Sequence, residues 1–344
     1  MIHRQLQETS SIGLRRGLVA CVSLFVAVFP AWKLGTAAEA PKAEAAASQR
    51  IQLDRDDQAG RLRVVIDGRE AIAYQYSADL DLPHYYPVRS PSGKSMTVQH
   101  PTPYPHHRSF WFGDRVHLEG QRDVSFYACL YSCEDRNDPK PPFHDHVRHV
   151  EFLPEEGTPE EPVIRSKLVW EMDDDKPVLD ESRSMRVVAL GDAEYFLDVT
   201  FTVTASYGDV TFTSDWVHYA WPYIRMDPPF SVEQGGTITN SEGGVNQVGT
   251  NGKEATWVDY TNTIEGDTEG LAVFSHSDND QPHWWLTRDY GCFGPRRVDA
   301  KSGKPFTLKK GESLARRVGV LVHRGDVKTG KVAQRYDSYL NGEL

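Results

Sequence analysis

Twelve residues, HPTPYPHHRSFW (100–111), hold three histidines, one arginine and three prolines. Imidazole titrates near neutral pH, so His106 and His107 offer proton transfer. The Arg108 guanidinium beside them suits a carboxylate or a developing oxyanion. Prolines restrict φ and would hold such a loop at a fixed attitude. In an extended segment His106 and His107 point to opposite faces, so one pocket receives both only if the loop turns. The plainer alternative is an arginine tying loop carbonyls.

Other stretches carry similar residue types. Eight of the thirteen histidines fall between residues 84 and 149. HDHVRH (144–149) would put His144 and His146 on one strand face as an H-x-H pair, which leaves a divalent metal open. PHYYPVRSPSG (83–93) places two tyrosines near Arg89, a combination that serves as a sugar platform or as loop core. In HSDNDQPHWWLTRDYGCFGP (276–295), a strand would put His283, Trp285, Thr287 and Asp289 on one face and Arg288 on the other. Arg288, Asp289 and Tyr290 read equally as pocket residues or as an ion pair with a phenol. The loop GTITNSEGGVNQ (236–247) offers Asn240 and Glu242. It has the form of neither a Walker A loop nor a dinucleotide fingerprint. No G-x-S-x-G, H-E-x-x-H, C-x-x-C or EF-hand pattern occurs, so nucleophile triads gain no support and no organic cofactor is expected.

The elements that must position these residues are strands. RLRVVIDGREAIAYQY (61–76) has two β-rich runs around Asp67-Gly68, a strong hairpin signal. Runs at 163–172, 184–190, 195–205, 209–217, 270–276, 283–288 and 316–324 are rich in Val, Thr, Tyr, Phe and Trp, as a pleated surface favours. The good helix pattern is terminal, 326–342, with Val332, Tyr336 and Leu340 at i, i+4, i+8 and Asp326 as its expected N-cap. The fold class expected is all-β: a large antiparallel sandwich with one C-terminal helix, as a single domain over 49–344.

A basic flank, an apolar stretch of about 15 residues and a small-residue end read as a secretory signal over 1–38, followed by a disordered leader, 39–48. Export to the periplasm or the outside is therefore expected, with no membrane association once the signal is removed. Its removal leaves 34 basic against 48 acidic residues, so the formal charge moves from −11 to −14. That balance disfavours nucleic acid and anionic membrane surfaces. Cys129, Cys133 and Cys292 would remain, an odd number, and no disulfide framework is expected. Nothing here sets the oligomeric state.

YPVRSPSGKSMT…PHHRSFWFG (86–113), GTITNSEG…WVDY (236–260) and HSDNDQPHWWLTRDYG (276–291) resemble the blocks of a PmoA-like bacterial family. That family is often labelled "methane oxygenase PmoA". A membrane methane monooxygenase subunit needs several apolar spans of about 20 residues, and the mature region has none, so the label does not describe this chain. The resemblance implies an exported β-sandwich from polysaccharide-degrading bacteria, and the layout is similar to aldose mutarotase-type supersandwiches. The residues it picks out include His106, His107, Arg108, Asn240, Glu242, Trp257, Asp259, Tyr260, Arg288, Asp289 and Tyr290. In one place, VHYAWPYIR (217–225), the chain keeps Ile224 and Arg225 but has His218 and Tyr219 where relatives carry Lys and Glu. Either side chain is able to transfer protons.

The function expected is a carbohydrate-active enzyme, a lyase or hydrolase acting on a glycan. His106, His107, His218, Tyr219 and Tyr290 are its candidate catalytic groups. Arg108, Arg225, Asn240, Glu242, Trp257, Tyr260, His283, Arg288 and Asp289 are candidates for substrate binding, with Trp257 and Tyr260 stacking on a sugar face. A non-catalytic glycan-binding module and a mutarotase-type epimerase are the alternatives.

Overall fold

The run at 61–75 folds as the expected hairpin. Strands Arg61–Ile66 and Arg69–Gln75 pair antiparallel. Asp67 and Gly68 between them sit at φ 48° and 78°, the left-handed pair a two-residue hairpin turn needs. The computed structural model describes residues 50–129, 140–213, 220–297 and 305–344. The expected signal and leader, Cys133, His218 and Tyr219 lie outside the described residues.

Three antiparallel sheets organise the described chain. The first runs in the order Ile51–Asp56, Arg61–Ile66, Arg69–Gln75, His84–Val88, Phe110–Trp111, Tyr223–Arg225, Cys292–Arg296, Trp284–Thr287. The second runs Thr237–Asn240, Trp257–Ile264, Asp267–Ser275, Ser313–Arg324, Glu194–Thr204, Lys176–Gly191, Pro162–Met172, His146–Phe152, with Glu156–Gly157 paired beside Pro162–Met172. A small third sheet joins Phe306–Leu308, Val210–Phe212, Arg115–Leu118 and Asp123–Ser125.

Alternation along single strands makes the layers. In Glu194–Thr204, residues Tyr195, Leu197, Val199, Phe201 and Val203 join the main core, while Phe196 joins a second cluster. The main core closes between the two large sheets: Phe201 lies 6.1 Å from Phe110 and stacks at 4.8 Å on Phe112. The second cluster unites Phe196, Phe274 and Leu321 with Val332, Tyr336 and Tyr339.

The C-terminal helix is shorter than the sequence pattern suggests, Val332–Leu340. Asp326 is not its cap; its carboxylate accepts the Thr329 N–H at 2.7 Å in the turn before it. Val332 and Tyr336 are buried as read, but at 3.6 residues per turn position i+7 lies closer to their face than i+8, so Tyr339 is 1% exposed and Leu340 38%. The expected H-x-H strand face is also absent, because the strand begins at His146. His144 Nδ1 lies 2.7 Å from Asp174 and His146 Nε2 3.1 Å from Glu171. Among the described residues no three His, Cys, Asp or Glu side chains come together to hold a metal ion. Cys129 and Cys292 are buried. No described helix is long and apolar enough to cross a membrane.

One glycine sets the strand spacing that the candidate site depends on. A Cβ at Gly294 would run into the Pro222 carbonyl and the Ala220 methyl. Gly294→Ala is therefore expected to cost about 1–3 kcal/mol by overpacking, seen as a lowered urea midpoint. An unchanged midpoint would show that the two strands have room to separate.

Candidate functional site

Sheet order brings the chemistry-bearing stretches together. Phe110–Trp111 pairs with Tyr223–Arg225, which pairs with Cys292–Arg296, so three segments distant in sequence become neighbours. Trp111 stands opposite Tyr223 and their rings stack at 4.7 Å. Backbone bonds close the loop before Phe110: His100 N–H donates to the His107 carbonyl at 2.8 Å, and His107 N–H to the Tyr104 carbonyl at 3.0 Å. The loop therefore turns at 104–107. His106 and His107 do not diverge as an extended chain would require; their rings meet edge-on at 4.6 Å.

A cluster of rings results. Tyr104 stacks on His107 and on Tyr290, each at 5.0 Å. His107 lies 5.4 Å from Trp111, and its Nε2 is 3.2 Å from the Tyr127 hydroxyl. His106 packs edge-on to Tyr127 at 5.1 Å. The Arg225 guanidinium lies 4.7 Å from the Tyr290 ring centre and donates to the Tyr290 carbonyl. Tyr104, His106 and Tyr290 are half-buried and form the accessible edge, while His107, Trp111, Tyr223 and Arg225 are buried. The paired histidines and the Arg-Asp-Tyr stretch thus share one side of the scaffold.

Among the described residues, His107 Nδ1, the Trp111 indole nitrogen and Arg225 Nε are buried in this cluster without a hydrogen-bond partner. Such atoms are uncommon in native interiors. Burial pushes the His107 imidazole down to about 2, reinforced by His106, Arg225 and Arg108, so it is neutral at physiological pH. Burial also pushes the Tyr290 phenol above its ordinary value, so it stays protonated. Asp227, two residues beyond Arg225, is half-buried. Burial raises its carboxyl above the usual value although Arg225 pulls it down. It precedes the short turn Pro228–Phe230 but does not cap it with its side chain.

Other expected site residues are engaged elsewhere. Arg108 is 1% exposed and its guanidinium meets both oxygens of buried Asp81 and, at 2.8 Å, the Pro105 carbonyl, so it holds the loop and presents nothing to a ligand. Asn240 Oδ1 accepts the Gly244 N–H at 2.7 Å inside its own turn. Glu242 is exposed and accepts the Ser241 hydroxyl at 2.9 Å. Trp257 is buried in the cluster beneath the C-terminal helix, and Tyr260 is fully buried on Phe293, its hydroxyl donating to the Arg288 carbonyl. Neither ring is free to stack on a sugar. His283 is buried, 2.9 Å from the Ser275 hydroxyl, and burial lowers its pKa to about 4. Arg288 donates to Asn251 Oδ1 at 2.7 Å, and Asp289 accepts the Gln247 N–H at 2.8 Å.

Tyr104, Trp111, Tyr127 and Tyr223 belong to the cluster but were not singled out by sequence. Tyr104 between two prolines and Tyr223 before Ile224-Arg225 adjoin expected residues; Tyr127 carries no such signal. Separate surface cavities of about 610 Å³ and about 430 Å³ lie on the second sheet, lined by Arg148, Lys167 and Tyr207 in one and by Thr237, Asp259 and Thr261 in the other.

The model of a family described as "Family of unknown function (DUF6807)" matches residues 61–337. That match does not carry the PmoA-like name. No curated protein matches the chain. Among solved structures it is similar to the GH36 alpha-galactosidase AgaB from Geobacillus stearothermophilus, at 9% identity and a TM-score of 0.43, over 80% of this chain and 41% of that one. It is also similar to a variant of a glycoside hydrolase family 97 enzyme from Pseudoalteromonas sp. strain K8, at 10% identity and a TM-score of 0.38, over 73% of this chain and 34% of that one. The chain therefore spans about two fifths or less of each, and likenesses this distant bear on no argument about activity.

Proposed function

We propose, for this chain, which belongs to a family of unknown function (DUF6807), a carbohydrate-active enzyme that works by proton transfer at the ring cluster. The observation that carries the reading is the accessible edge where Tyr104 and Tyr290 stack beside His106, backed by buried polar atoms without partners. Aromatic rings beside polar groups suit a sugar, which has apolar faces and a hydroxylated rim. His106 is the proton acceptor, because it is half-buried at the edge. Tyr290 is the donor, because its phenol stays protonated. His107, neutral and beside the Tyr127 hydroxyl, fixes the imidazole pair.

This arrangement favours elimination over hydrolysis. Glycoside hydrolysis generally uses two opposed carboxylates. The two that the sequence offers do not meet at the cluster: Glu242 is exposed and Asp289 accepts from Gln247. In elimination His106 takes a proton from a sugar carbon, the electron pair forms a double bond, the neighbouring C–O bond breaks, and Tyr290 protonates the leaving oxygen. Export is part of the proposal and rests on residues 14–40. N-terminal sequencing of the secreted protein checks it.

Purified protein incubated with polysaccharides and oligosaccharides is expected to release reducing ends together with an unsaturated, ultraviolet-absorbing product. His106→Ala should lower turnover by about 10²–10⁴-fold with the melting temperature retained. Equal turnover in variant and wild type on every substrate would remove His106 from the mechanism. Binding without turnover would favour a glycan-binding module.

A further inference from the structure

We infer that the cluster takes a sugar bearing a carboxylate, and that Arg225 receives that carboxylate. The inference rests on the carbohydrate reading above and names the substrate class for the same site.

Three buried guanidinium groups elsewhere in the chain meet carboxylates: Arg108 meets Asp81, Arg183 meets Glu181 and Arg316 meets Asp280. Arg225 is 4% exposed and makes no ion pair among the described residues. Its Nη1 donates to a backbone carbonyl, its face is covered by Tyr290, and its Nε bonds nothing. A buried cation without an anion is costly, and chains avoid it unless the charge has a use. The Trp111 indole is a second buried donor without an acceptor, and His107 Nδ1 a third partnerless atom. These side chains are joined through the same rings: His107 packs near both Trp111 and Tyr290, and Tyr290 covers Arg225. A hydroxyl would satisfy the hydrogen bonds and leave the charge unanswered. A carboxylate does both, since its oxygens accept from N–H donors and its charge balances the guanidinium.

In elimination the same contact has a chemical use. The proton to be removed lies on the carbon next to the carboxylate, and the charge that develops there spreads onto oxygens facing Arg225. Asp227 is near enough to feel Arg225 yet makes no ion pair with it. Its own charge opposes an incoming anion, and that makes it a useful probe.

Isothermal titration calorimetry with D-glucuronate and D-galacturonate, against D-glucose, D-galactose and acetate, tests the assignment. The hexuronates are expected to bind about tenfold or more tightly than the parent hexoses. Arg225→Gln should bring that ratio to near unity, by a loss of hexuronate affinity larger than any loss of hexose affinity. Asp227→Asn should tighten hexuronate binding and leave hexoses unchanged. Its carboxylate makes no hydrogen bond among the described residues, so this variant keeps the test available if Arg225→Gln unfolds. Equal affinity for hexuronates and hexoses would overturn the inference and leave the carbohydrate reading standing. So would a hexuronate preference untouched by both variants. Acetate bound as tightly as the hexuronates, with no hexose bound, would overturn the carbohydrate reading and the substrate class together.

Discussion

Asp81→Ala is expected to lower the unfolding free energy by about 3–5 kcal/mol. The reason is the charge left behind. Arg108 and Asp81 are 1% and 2% exposed, and the guanidinium meets both carboxylate oxygens. Removing the carboxylate strands a buried cation that has no route to solvent. Burial alone would raise the Asp81 carboxyl, but Arg108 outweighs it and holds the group below its ordinary value. The sign follows: this stabilisation is complete above the unfolded carboxylate value of about 3.9 and is lost as pH falls through the lower folded value. Urea melts at several pH values check both size and slope. Asp81→Leu combined with Arg108→Met should recover most of the loss, since two apolar groups leave no unpaired charge. A loss under about 1 kcal/mol in Asp81→Ala would show that Arg108 finds another partner. The proposed turnover should fall in this variant as well, because the pair anchors the loop that carries His106 and His107.

The second large effect lies under the C-terminal segment. His323 Nε2 is 2.8 Å from Asp259 Oδ1, and the two are 0% and 1% exposed. Thr261 donates to the other carboxylate oxygen. Gly330 and Gly270 lie against the imidazole, where a Cβ would collide with it. Burial lowers the His323 pKa, but Asp259 more than offsets this, and the folded value lies above the ordinary one. The pair therefore stabilises the fold fully below the unfolded histidine value of about 6.5 and loses that contribution as pH rises through the folded value. In Asp259→Ala the imidazole loses both influences of the carboxylate, and burial, the largest influence of all, together with Arg335 lowers it against the Arg324 carbonyl alone. The slope then reverses, and stability should rise with pH near neutrality. The variant is expected to lose about 3–5 kcal/mol on the acidic side and less at alkaline pH. Unfolding curves collected from mildly acidic to alkaline pH give the comparison. Parallel profiles for wild type and variant would mean that His323 is neutral throughout.

Strand character was legible in the sequence because it is a local property. Period-two burial in Glu194–Thr204 and the Asp67-Gly68 turn depend on neighbours a few residues away, and both appear as read. The meeting of Tyr104 and His107 with Tyr290 is instead a matter of strand order. The length of the C-terminal helix was less legible, since the tight turn around Asp326 and Thr329 uses residues that also suit a cap.

Residue types alone fixed a β-rich chain with clustered imidazoles, guanidinium groups and phenols. They could not decide which of several arginines stands unpaired, because pairing is a three-dimensional property. Arg108 sits beside the histidines in sequence, yet Asp81, 27 positions away, takes up its charge. Arg225 lies far off in sequence, yet strand pairing sets it beneath Tyr290 with no ion pair among the described residues. Trp257 and Tyr260 have the composition of a sugar platform, but sheet packing buries both rings. The tertiary structure made these choices because burial and charge pairing depend on what crosses from the next strand.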